Sequence, residues 1–177
     1  MRLTLCRLAF CSVALAGCAS SSVVNQDRDP VLVMISNGGA LRYNKDVRVI
    51  TTSLAGSPAS LWPRLNAAYA SLGLPVTERD SSEYAVAAQN AQFSGRFANE
   101  PMSRVVDCGL TPVGSQRANS YRVWLSVASQ LQASGTGTTL RTTVIAKAQD
   151  QSSSTAAVQC GTTGTLEHDL AKELGAQ

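Results

Sequence analysis

His168 is the single histidine of the chain and stands between Glu167 and Asp169. Acid–base catalysis there would need a nucleophile or a metal alongside, and spacing identifies neither. His168 is therefore read as an exposed helix position and its two acidic neighbours as solvated charge, like the pair Asp27 and Asp29. A zinc set drawn from Cys108, Cys160, His168 and Asp107 lacks the close paired spacing of structural zinc sites, so no metal site is expected. The chain has no G-x-S-x-G elbow, H-E-x-x-H helix, Walker loop or G-x-G-x-x-G turn. Gly161-Thr162-Thr163-Gly164 could offer backbone N–H groups to an anion, but a turn is the simpler reading. Trp62, Tyr69 and Trp124 could line a ligand groove or a partner surface, although core positions are preferred for them. No catalytic residue, enzyme activity or cofactor is expected.

Chemistry is specified at the other end of the chain. Arg2 and Arg7 precede the apolar stretch Leu8 to Ala16, which is too short to span a bilayer as a helix and has the layout of an export signal. It closes on Leu15-Ala16-Gly17-Cys18. This resembles the lipobox of bacterial lipoproteins at all four positions, which implies cleavage before Cys18 and acylation of its thiol and new amino group. Each buried methylene contributes about 0.8 kcal/mol, so several acyl chains make attachment to the lipid bilayer nearly permanent. Ala19 stands where an Asp would mark inner-membrane retention in the enterobacterial pattern. The resemblance thus implies an outer-membrane anchor facing the periplasm.

Of the five cysteines, Cys6 and Cys11 would leave with the leader and Cys18 would carry lipid, so the exported part keeps Cys108 and Cys160. An even remainder in an oxidising compartment points to a disulfide between them.

The 177 residues are 44% hydrophobic, 15% charged and 5% aromatic, which is a globular composition and enough for one domain. The formal net charge is +3, two charges of which belong to Arg2 and Arg7 in the leader, so no footprint for nucleic acid exists. Residues 1–17 are read as the leader, 18–30 as lipidated cysteine and polar tether, and 31–177 as one periplasmic domain. If flexible, the tether spans on the order of 20 Å.

Period-two patterns predict strands over Asp46–Thr52, Ser120–Leu131 and Thr139–Ala148, the last two joined as a hairpin through Ala133–Gly137. Val31–Ile35 followed by Ser36-Asn37-Gly38-Gly39 predicts another hairpin, Tyr84–Phe93 reads as a strand whose alanines also suit a helix, and Ala156–Cys160 as a short strand. Arg96–Val106 stays ambiguous. A helix over Ser60–Leu72 carries the stripe Leu61, Leu65, Ala68 and Leu72, capped by Ser57 or, in view of Pro63, preferably by Ser60, and stopped by Gly73. A last helix presents Leu166, Leu170 and Leu174.

Strands, helix, strands, helix with hairpin connections predict an α+β fold: a mainly antiparallel sheet with two helices packed on one face. Lipobox, Ser-rich tether and element order together resemble the helix-grip domains of the BamC (NlpB) lipoproteins of the outer-membrane assembly machinery; no functional residue carries over. The expected function is that of a non-catalytic, membrane-anchored module binding another envelope protein, for instance by strand addition at a sheet edge. The alternative is a carrier of a small apolar ligand, with Ala67, Ala68, Ala70, Ala85, Ala87 and Ala88 leaving room between helix and sheet.

Overall fold

The computed structural model describes residues 48–153 and 155–176, together with the backbone of Val33–Ile35 and Gly39–Leu41. The expected leader, the expected lipidation site Cys18 and the expected tether lie outside the described residues. In chain order, the strands β1 (Val33–Ile35), β2 (Gly39–Leu41) and β3 (Val49–Leu54) lead into helix α1 (Pro58–Ser71). Strands β4 (Glu78–Asp80), β5 (Ala85–Ser94), β6 (Arg96–Phe97) and β7 (Glu100–Pro101) follow, then a 3-10 turn over Met102–Arg104 and β8 (Val106–Asp107). The short helix α2 (Arg117–Ser120), the long strands β9 (Arg122–Ser134) and β10 (Gly137–Gln149), β11 (Val158–Thr162) and helix α3 (Thr165–Glu173) complete the chain.

The β9–β10 hairpin is the centre of the sheet. Its register sets Leu125 opposite Ala146, Val127 opposite Val144, Ser129 opposite Thr142 and Leu131 opposite Leu140, all buried. The period-two pattern therefore places one face of each strand in the core, as expected. The seven-stranded sheet runs β4-β5-β9-β10-β11-β8, with β3 also pairing β10, and every pairing in it is antiparallel. β3 takes Thr138 to Thr143 of β10 and β11 takes Ala146 to Ala148, so the two share one edge of the same strand. Gly137 is required where β3 crosses the hairpin, because a Cβ there would lie 2.7 Å from the Leu54 carbonyl oxygen. The predicted first hairpin is present as β1 against β2.

β5 explains why its sequence read two ways. Val86 and Ala88 face the core, and so do Ala91 and Phe93, which is out of step by one residue. A bulge between Ala88 and Ala91 sets Gln89 and Asn90 against Ser126 and restores the face; Asn90 takes φ 51° there and its N–H donates to Ser126 Oγ.

α1 and α3 both pack on the inner face, as predicted. Leu61, Leu65 and Ala68 are buried, while Leu72, at the C-cap, is only partly so and Tyr69 takes the deep position. The preferred Ser60 cap is corrected: Ser57 is the N-cap, with Ser60 its reciprocal partner and Pro58 at the first helical position. Pro63 is tolerated inside the helix because the bond it omits would have gone to Ala59, an exposed residue whose carbonyl water can satisfy. At the far end Leu74 N–H donates to Tyr69 O at 2.9 Å over Gly73 at φ 69°, the predicted stop. Leu166, Leu170 and Leu174 of the α3 segment are all buried, and Arg64 of α1 donates to the Glu173 carbonyl at 3.2 Å. The segment left ambiguous, Arg96–Val106, forms the β6–β7 hairpin, the 3-10 turn and the start of β8. The strand predicted from Ser120 begins at Arg122 instead, since Ser120 ends α2.

Candidate functional site

β3 is a strand of six residues with one paired edge. Ile50, Thr52 and Leu54 register with Thr142, Leu140 and Thr138 on the core side, which pins the strand's face. Thr138 Oγ1 donates to the Gly56 carbonyl at 2.7 Å and ties down its C-terminal end. The opposite edge pairs with no described strand. Val49, Thr51 and Ser53 alternate on the outer face, and Thr51 and Ser53 are exposed. Edge strands are commonly blunted by Pro, by bulges or by charge, yet Val49–Leu54 contains none of these and β3 is in regular register throughout. Among the described residues nothing pairs the outward backbone N–H and C=O groups of this edge, which suit a pairing strand.

Behind this edge the helices and the sheet bury a common core. Leu65 and Tyr69 of α1 are fully buried, as are Leu125 and Leu131 beneath them. The Tyr69 hydroxyl donates to Ser129 Oγ at 2.9 Å, and Ser129 shares a 3.1 Å bond with Thr142 Oγ1. Burial pushes the Tyr69 phenol well above its ordinary range, against the smaller opposing pull of Ser129, so this hydroxyl chain is a neutral, satisfied set.

The other candidates fall at scattered places. Cys108 and Cys160 form the expected disulfide, with Cα atoms 4.2 Å apart, and their sulfurs are thereby unavailable as thiolate ligands. Asp107 is exposed and caps its own turn by accepting from Gly109 N–H. His168 is exposed on α3, as read. Glu167 corrects the reading of solvated charge. It is 1% exposed, accepts from Thr162 Oγ1 at 2.7 Å through one carboxylate oxygen, and its other oxygen is buried without a partner. Desolvation holds its pKa above the usual carboxylate value; the Thr162 bond, its own backbone and the Arg48 charge pull the other way. Helical phase carried the signal that was missed, since Glu167 follows Leu166 and precedes Leu170 on the inward face. Of Gly161-Thr162-Thr163-Gly164, read as a turn, the first two residues instead end β11, opposite Asp107 and Val106, and only Thr163-Gly164 turns the chain: Gly164 N–H donates to Thr162 Oγ1, and Gly164 takes φ 88° as the N-cap of α3.

The three aromatics divide. Tyr69 is core, Trp62 is partly buried with its ring edge-on to Tyr84 at 6.2 Å, and Trp124 lies on the outer face of the sheet. The preferred core reading therefore fails for Trp124, because β9 turns Val123 and Leu125 inward. Among the described residues no helix is long and apolar enough to cross a membrane. Compared with protein-family models the chain matches none, and no curated protein matches it.

Proposed function

We propose that this chain is a lipid-anchored lipoprotein of the bacterial envelope, held at the outer membrane through acylated Cys18, whose domain binds a partner protein by strand addition along β3. The observation that carries the reading is the unblunted edge of β3, which no described strand pairs, in front of a buried core. Main-chain hydrogen bonds supply affinity in this mode and the alternate side chains supply selectivity. Confinement by anchor and tether raises the local concentration of envelope partners, so a weak interface suffices. The alanines invoked for a ligand carrier lend that alternative little support. Only Ala68 and Ala88 of the six lie in the core cluster; Ala67 and Ala70 are exposed, and Ala85 and Ala87 register with Gln130 and Ala128 on the outer face.

Adjacent proline variants test the edge. Backbone groups of neighbouring strand residues point to opposite edges, so of Thr51→Pro and Thr52→Pro one removes a bond to β10 and the other removes only an outward N–H. The variant with wild-type thermal stability should lose the partner and the cellular function. Retention of both in that variant would overturn strand addition. Cys18→Ser tests the anchor separately: loss of fatty-acid labelling and of membrane fractionation is expected, and unchanged labelling would contradict it.

A further inference from the structure

On the outer face, at the end of the β9–β10 hairpin away from its turn, lies an open groove of about 320 Å³ lined by Arg122, Trp124, Gln149, Asp150, Gln151 and Ser153. Trp124 is half-buried, and its indole N–H takes part in no hydrogen bond among the described residues. The Lys147 ammonium stands over its ring, 5.5 Å from the centroid. Arg122 reaches across to Gln151 Oε1 at 2.7 Å, which fixes the turn that walls the groove, and Gln149 donates to the Thr155 carbonyl at 3.0 Å. Asp150 also lines the groove and stays ionised, its pKa held below the usual carboxylate value as Oδ1 accepts from Ser152 N–H at 2.9 Å and Ser152 Oγ at 2.7 Å inside its own turn. Neither Arg122 nor Lys147 has a carboxylate within ion-pair distance among the described residues.

We propose that this groove binds a carboxylate-bearing saccharide. An indole gives the apolar C–H face of a sugar ring a flat surface, and its N–H is left to meet a hydroxyl. The amides of Gln149 and Gln151 line the groove and retain donor and acceptor capacity for hydroxyl groups beyond their bonds to Thr155 and Arg122. Arg122 and Lys147 together outweigh the single Asp150 carboxylate, so the net positive charge beside that surface favours an anion, and the guanidinium fork suits a carboxylate. The site is separate from the β3 edge, and its test is independent of partner binding and anchoring.

Titration of the full chain in detergent with an N-acetylglucosamine–N-acetylmuramic acid disaccharide, followed through the indole N–H resonances, tests this. The Trp124 signal should shift saturably with a dissociation constant on the order of 1 mM, while that of Trp62 stays in place. The uncharged N,N′-diacetylchitobiose should bind about tenfold more weakly. Lys147→Gln and Arg122→Gln should each erase that difference, and Trp124→Ala should abolish binding of both sugars with thermal stability kept. No saturable shift, equal binding of the two sugars, or indifference to Lys147→Gln and Arg122→Gln would overturn the proposal.

Discussion

Opening the Cys108–Cys160 bridge should cost the domain a large part of its stability. The bonded cysteines are separated by 52 positions, and the ring they close contains α2 and the two longest strands, β9 and β10. For a loop of that length, chain-entropy arithmetic removes about 14 cal/mol/K from the unfolded ensemble, or about 4 kcal/mol at room temperature. Domains of this size are commonly stable by only about 5–15 kcal/mol. Both cysteines are buried, so the double variant Cys108→Ala, Cys160→Ala also loses a little packing; reduced wild type loses the cross-link alone and separates the two contributions. Urea unfolding of all three should show the two open forms less stable than the oxidised protein by about 4 kcal/mol. Their steeper dependence on urea would reflect a less compact unfolded chain. A loss below about 1 kcal/mol in reduced protein would refute the entropic reasoning and point to residual structure in the unfolded state.

Tyr69→Phe removes the donor that joins α1 to Ser129, and should cost about 1–2 kcal/mol in urea unfolding with the fold retained by circular dichroism. Glu167 has a folded pKa above the ordinary 4.5, so the native state holds the extra proton and wild-type stability should fall as pH rises from 4.5 through the raised value. Glu167→Gln should lack that slope, so the variant gains on wild type towards neutral pH; parallel profiles for the two proteins would contradict the burial reading. His168→Ala, an exposed change, should alter stability by no more than about 0.5 kcal/mol and leave cellular function intact. Loss of function with an intact fold would point to chemistry at that ring.

The long strands and both packed helices were legible because their apolar residues recur at periods of two and of three to four, which directly encodes the inward face. The disulfide was legible by counting, once the cysteines of the expected leader and the expected lipidation site Cys18 were set aside. β5 was only half legible, since the Gln89–Asn90 bulge breaks its period and its alanines favour helix over strand. The Ser57 cap was misjudged because Pro63 was weighed as a defect, whereas its missing bond falls to an exposed carbonyl. Glu167 escaped because charge type was weighed above helical phase. The edge of β3 and the groove at Trp124 are tertiary features: pairing order decides which strand is left with an open side, and no local pattern in Val49–Leu54 announces it.

The most direct measurement is site-specific photo-crosslinking in living cells, with the reactive residue placed in turn at Thr51 and Ser53 on β3 and at Arg64 and Ser71 on α1, all exposed positions. Strand addition predicts a discrete adduct with the same envelope protein from both β3 positions, lost in the edge proline variant, and none from α1. Adducts that are absent from β3, or equal at all four positions, would contradict it.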